Sequence, residues 1–137
     1  MRVRYGETDR MGVVYHGEYL AWLDEARTEL LRALGYPYDR LEAEGTGLVV
    51  RKADLRYRSP ARFGDDVRVR VTVERVRGAS LLLSYRLERV GDDHHLADAQ
   101  TELAAVTFGL EPVRPTPIPE GVRRALEAAI STRDADA

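Results

Sequence analysis

The hydrophobic period of this chain changes near residue 47 from that of a helix to that of a strand, and that change limits the folds open to it. From Gly17 to Leu34 the residues Tyr19, Trp22, Leu23, Ala26, Leu30, Ala33 and Leu34 recur at steps of three and four. Glu18, Glu25, Arg27, Glu29 and Arg32 fall off that stripe. The spacing predicts one amphipathic helix, about 27 Å long at 1.5 Å per residue, stopped by Gly35 and Pro37. After a charged connection from Tyr38 to Gly47, apolar residues alternate with polar ones, the period of strands. Segments 48–58, 66–76, 80–90 and 95–108 follow this rule, most clearly where Val67, Val69, Val71 and Val73 face one way and Arg68, Arg70, Thr72 and Glu74 the other. Arg77-Gly78 and Gly91-Asp92-Asp93 punctuate them as turns, which makes a meander.

The ends complete the plan. Arg2 to Thr8 alternates weakly and reads as a short first strand, followed by a loop from Asp9 to Tyr15. Glu111 to Pro119 carries four prolines and is extended, and Val122, Ala125, Leu126, Ala129 and Ile130 predict a short closing helix. Strand, long helix, then four antiparallel strands give an α+β fold in one domain, residues 1–131. A curved five-stranded sheet is expected to wrap the helix, with a frayed tail over 132–137. Edge strands in such a sheet need covering, so pairing with a second subunit is expected.

Composition narrows the function. The chain has 137 residues, 44% apolar and 32% charged, enough for one core and typical of a globular domain. No apolar run approaches the roughly 20 residues that span a bilayer, and with strand-like sequence from Arg2 onward a secretory leader is not expected. A cytoplasmic protein without membrane insertion is expected. With no cysteine and three histidines, neither a disulfide nor a metal centre is expected. A net charge of -2 argues against nucleic acid as a partner.

The densest chemistry lies at the joint between the first strand and the helix, Tyr5-Gly6-Glu7-Thr8-Asp9-Arg10-Met11-Gly12-Val13-Val14-Tyr15-His16-Gly17-Glu18-Tyr19. An acid, a flexible glycine and a histidine meet there beside the amides of a helix start. Taken alone, an Asp before a glycine loop is ordinarily a turn or cap residue. His16 is equally an end residue open to solvent, and tyrosines spaced as Tyr5, Tyr15 and Tyr19 are more often core than pocket lining. His94 and His95 sit beside a turn and read as solvated.

This run, followed by Glu25-Ala26-Arg27-Thr28-Glu29, Val49-Val50-Arg51-Lys52, Ser59-Pro60-Ala61 and Arg77-Gly78-Ala79-Ser80-Leu81, resembles the hotdog-fold acyl-CoA thioesterases of the 4-hydroxybenzoyl-CoA thioesterase type. It is most similar to their branch associated with the bacterial Tol-Pal system. The resemblance implies hydrolysis of an acyl-CoA, or of an acyl group on a carrier protein, without a cofactor. Asp9 would act as nucleophile or general base, and helix N-terminal amides at His16 would form the oxyanion hole. The imidazole of His16 has a secondary role. Gly12, Tyr5, Tyr15 and Tyr19 are expected around the acyl group. Arg77, in the hairpin with Ser80, and more weakly Arg51, Lys52 and Arg114, are expected near the CoA phosphates. Asp24 and Glu25 lie about 140° and 120° from Tyr19 on the helix, away from the stripe, so neither is assigned to substrate. A homo-oligomer, dimer or tetramer, with its site between subunits is implied. Two alternatives stand: a binding module for acyl-CoA or an acylated carrier that leaves the thioester intact, and a hotdog 3-hydroxyacyl thioester dehydratase, whose histidine-centred pattern fits Asp9 poorly.

Overall fold

A computed structural model describes residues 1–136, with side chains through Arg133. A 3-10 turn (Tyr5–Glu7) leads to α1 (Glu18–Ala33) and a short α2 (Tyr38–Ala43). Strands β1 (Thr46–Tyr57), β2 (Val67–Val76), β3 (Ser80–Arg89) and β4 (His94–Thr107) follow, and α3 (Glu120–Asp136) closes the chain. The strands form one antiparallel sheet in the order β1-β4-β3-β2.

Alternation sets the two faces of the sheet. Leu81, Leu83, Tyr85 and Leu87 of β3 and Ala97, Ala99, Leu103 and Ala105 of β4 are buried against Tyr19, Trp22, Leu23 and Leu31 of α1, in a single cluster. The opposite face carries Arg68, Arg70, Ser84, Arg86, Asp98 and Gln100, the residues that alternate with the core set.

Four expectations are corrected. The sheet has four strands, not five, because residues 2–8 do not form a ladder. Arg2 makes only an isolated bridge to Asp66. The chain then closes into the 3-10 turn, in which the Arg4 N–H donates to Glu7 Oε1 at 2.8 Å and the Glu7 N–H to Arg4 O at 3.0 Å. The sheet also does not wrap α1, whose Leu20, Ala21, Asp24, Glu25, Thr28 and Glu29 remain exposed.

Within α1, Arg27 and Leu31 are buried and Ala33 is exposed, which shifts the expected stripe. Arg27 tolerates the interior because its Nε donates to Tyr38 Oη at 2.6 Å and its Nη2 to Asp24 Oδ1 at 2.8 Å. The connection from Tyr38 contains α2, six residues too short for periodicity to show, with Leu41 alone buried. At the other end of the chain, α3 runs as helix through Asp136. Arg133 anchors it by donating to the Val73 carbonyl at 3.0 Å and pairing with Glu74. Ala137 lies outside the described residues.

The two sheet edges differ. At the β2 edge, Arg133 occupies a backbone acceptor beside a bulge between Val73 and Arg75. Along β1, which pairs on one side with β4, residues 49–54 are exposed. A bulge between Val50 and Lys52 turns Arg51 toward Glu102 at 2.8 Å. No helix is long and apolar enough to cross a membrane among the described residues.

Candidate active site

The joint between the 3-10 turn and α1 folds as a short, pinned loop. Thr8 and Val14 bridge across it, the Asp9 N–H donates to Val13 O at 2.8 Å, and the Gly12 N–H returns to Asp9 O at 3.1 Å. Gly12 has φ of +80°, a conformation costly for any residue with a Cβ. The Val14 N–H donates to Ala61 O at 2.8 Å, which ties the loop to the segment after β1. Asp9 Oδ1 accepts the Met11 N–H at 2.8 Å, the geometry of a turn residue. Oδ2 makes no hydrogen bond among the described residues.

The chain then enters α1. The Tyr15 N–H donates to Glu7 O at 2.8 Å, the Glu18 N–H to Tyr15 O at 3.0 Å and the Tyr19 N–H to His16 O at 3.3 Å. Between them, the N–H groups of His16 and Gly17 donate to no acceptor among the described residues. Such donors carry the positive end of the helix dipole. At Gly17 a Cβ would meet the Tyr15 ring at 2.8 Å, so glycine lets that ring fold back over the helix start.

Asp9 and His16 share a cavity of about 300 Å³ with Val13, Val14, Tyr19, Tyr57, Arg58, Ser59 and Pro60. Tyr19 and Tyr57 on its wall belong to an aromatic cluster: Tyr19 lies edge-on to Tyr57 at 5.0 Å and tilted on Trp22 behind it at 4.9 Å, and Tyr57 stands edge-on to His16 at 6.4 Å. The Tyr57 hydroxyl donates to the His16 carbonyl at 3.0 Å, and the Tyr19 hydroxyl accepts the Ala61 N–H at 3.2 Å.

Beneath the loop lies Glu7, 8% exposed. Its Oε2 accepts the Trp22 indole N–H at 3.0 Å and its Oε1 the Arg4 N–H at 2.8 Å. Burial pushes this carboxyl up, but the two N–H donors and the Arg4 charge outweigh it and hold the group below its ordinary value of 4.5. A depressed folded value means that Glu7 contributes stability in full above about pH 4.5 and loses it as pH falls through the lower folded value. Thermal melts between pH 3 and 6 are expected to show the native midpoint falling more steeply with acid than that of Glu7→Gln. Parallel slopes would remove Glu7 from the acid response.

The other sequence candidates distribute as follows. Tyr15 is half exposed and packs on His16 at 4.4 Å between ring centroids, beside the cavity and not in its lining. Tyr5 is 77% exposed, edge-on to Phe63, and outside the cavity. Arg77 and Ser80 form the β2–β3 hairpin, where the Arg77 N–H donates to Ser80 O at 2.8 Å and Arg123 of α3 donates to the Arg77 carbonyl. Ser80 pairs with Ala104 and Tyr57 with Ala97. The hairpin and the Asp9 cavity therefore sit ~23 Å apart along β4 at about 3.3 Å per residue. Arg51 and Lys52 lie between, both facing Glu102. One chain brings Asp9, His16 and Tyr19 together and leaves the basic candidates elsewhere.

Sequence reasoning missed Tyr57, Arg58 and Ser59 as lining residues. They meet Asp9 only because the end of β1 packs on the loop, and Ser59-Pro60 was the single local signal. His94 and His95 are not merely solvated. His94 Nε2 lies 2.9 Å from Ser59 Oγ, and His95 Nε2 lies 2.8 Å from Asp98 Oδ1, while Arg58 Nε donates to Asp98 Oδ2 at 3.2 Å. Burial pushes the Asp98 carboxyl up, but His95 and Arg58 more than offset it and hold it below the usual range.

Comparison with known proteins agrees with this layout. Residues 3–126 match the thioesterase-like superfamily. The acyl-CoA thioester hydrolase YbgC of Escherichia coli O6:H1 is 34% identical over 122 residues, 89% of each chain. Among solved structures, a hypothetical protein, TT1821, from Thermus thermophilus is 40% identical, with a TM-score of 0.85 over 94% of this chain and 95% of that one. BH1999 gentisyl-coenzyme A thioesterase is 27% identical, with a TM-score of 0.80 over 90% and 96%. A helix packed on an antiparallel meander, a loop carrying Asp9 at the helix start, and a family match over nearly all of its length place the chain in one group: it belongs to the thioesterase-like superfamily, with the hotdog type of α+β fold.

Proposed function

We propose that the protein hydrolyses acyl-CoA thioesters to free carboxylic acid and CoA, with the reaction centred on Asp9. The observation that carries this reading is the shared cavity, lined by both Asp9, which keeps one carboxylate oxygen uncommitted, and His16, whose N–H and that of Gly17 have no acceptor at the head of α1 among the described residues. Relatives named as acyl-CoA thioester hydrolases support the substrate class.

The thioester carbonyl oxygen accepts the His16 and Gly17 N–H groups, which stabilise negative charge as it develops there. Asp9 Oδ2 then acts in one of two ways. As nucleophile it attacks the carbonyl carbon and expels the thiolate, leaving an acyl-aspartyl anhydride that water hydrolyses. As general base it takes a proton from water, hydroxide adds to the carbonyl, and the proton passes to the departing thiolate. Both routes release one acid and one thiol and restore the carboxylate. The motif order favours the Tol-Pal-associated branch of the 4-hydroxybenzoyl-CoA type, without selecting an aromatic acyl group.

The working unit is an oligomer with the site between subunits. Separation of the hairpin from the Asp9 cavity within one chain, and the exposed β1 edge with Val49 and Val50 outward, support this reading. Arg77 and Ser80 then meet the CoA phosphates from a second copy.

The test is thiol release from a panel of acyl-CoAs, acetyl to palmitoyl with benzoyl and 4-hydroxybenzoyl. The chain has no cysteine, so every thiol detected comes from substrate. Release from at least one acyl-CoA is expected. No release from any, with acyl-CoA bound tightly, would leave a binding module. Tyr57→Phe removes the bond to the His16 carbonyl, a net contribution of about 0.5–1.5 kcal/mol. A roughly threefold to tenfold fall in kcat is expected, with KM little changed. Unaltered kcat would show that Tyr57 does not support the helix start.

A further inference from the structure

Glu7 is a buried acid that the reaction does not consume. Its carboxylate receives donors from both flanks of the site, the Trp22 indole N–H on α1 at 3.0 Å and the Arg4 N–H at 2.8 Å, on different oxygens. Its backbone carbonyl receives the Tyr15 N–H at 2.8 Å, one residue before His16. Two residues later in the chain comes Asp9, and the bridge between Thr8 and Val14 locks the loop that carries it.

We propose that Glu7 is the positioning residue of this site, fixing the Asp9 loop relative to the amides of His16 and Gly17 by bonding the last residue of the 3-10 turn, from which the loop springs, to α1 through Trp22. The inference rests on the Asp9 reading above. An ionised carboxylate suits the position because both partners are donors and only an acceptor on each oxygen satisfies them. Glutamine offers one acceptor and one NH2, so either Trp22 or Arg4 faces a donor and the loop must shift. Misplacement of reacting groups by about 1 Å costs up to about 100-fold in rate.

The experiment measures kcat and KM per folded molecule for Glu7→Gln, Trp22→Phe and the double variant, with Asp9→Asn alongside. Glu7→Gln is expected to lower kcat roughly 10- to 100-fold with KM within about threefold. Trp22→Phe removes the same bond from the other side and is expected to lower kcat in the same sense. The double variant should be no slower than the slower single variant, because the two residues act through one bond. A purely structural role predicts lower thermal midpoints with unchanged kcat per folded molecule, and that result overturns the proposal. So do multiplicative losses in the double variant. If Glu7→Gln does not fold, Trp22→Phe carries the test, and full kcat in that variant overturns the proposal by itself. An inactive Asp9→Asn beside a fully active Glu7→Gln rejects Glu7 alone, whereas an active Asp9→Asn rejects the underlying reading and this inference with it.

Discussion

Asp9→Asn is expected to lower kcat by about 1,000-fold or more while the protein keeps its fold. The two roles open to Asp9 separate cleanly in this substitution. As a turn residue it needs one acceptor for the Met11 N–H, 2.8 Å from Oδ1, and asparagine supplies that acceptor with the same geometry. As a reacting group it needs the second oxygen, which asparagine replaces with an amide that neither attacks a carbonyl nor accepts a proton at neutral pH. Acid–base groups typically contribute 10²- to 10⁴-fold, and a covalent role raises the loss. The N–H groups of His16 and Gly17, the proposed oxyanion donors, are backbone groups and survive the change, so binding of acyl-CoA should persist. Thiol release and ligand titration on the same preparation check both halves. Full activity in the variant would return Asp9 to the status of a turn residue and move the chemistry elsewhere.

What could be read in the sequence follows the physics that fixes each element. The helix over Gly17–Leu34 and the meander were legible because their periods are local properties, repeated over ten or more residues. Residues 2–8 were misread because weak alternation is shared by a strand and by a turn closed through Glu7. What decides between them is a pair of bonds between Arg4 and Glu7, and periodicity does not register such a pair. Arg27 was placed outside the core by its charge and is inside it because Tyr38 and Asp24 receive its guanidinium. At the site, Asp9 and His16 were visible as a motif within one short segment. Tyr57 joins them across 41 residues through its hydroxyl on the His16 carbonyl, and that contact exists only once β1 has found β4. Arg77 stands in the family's motif, yet one chain leaves it far from Asp9.

Leu103→Ala is expected to give the largest loss of stability from a single apolar truncation. Leu103 is fully buried on β4, an interior strand of the sheet, where it pairs with Val50 of β1 on one side and Leu81 of β3 on the other. Truncating such a leucine removes its transfer free energy and leaves a cavity that flanking strands close only partly, about 2–5 kcal/mol. A domain of this kind holds about 5–15 kcal/mol in total, so a fall in the melting midpoint on the order of 10 °C follows. Val50 gives the internal comparison. It occupies the same register position but stands 43% exposed on the edge strand, so Val50→Ala in an isolated chain should cost under about 1 kcal/mol. Denaturant melts of both variants over a range of protein concentrations measure the two costs and locate the edge contact. If β1 pairs with a second copy, the Val50→Ala penalty exceeds that bound and depends on concentration, while the Leu103→Ala penalty keeps its size. A small, concentration-independent cost at Val50 would leave the β1 edge open to solvent and place the contact between copies on another face.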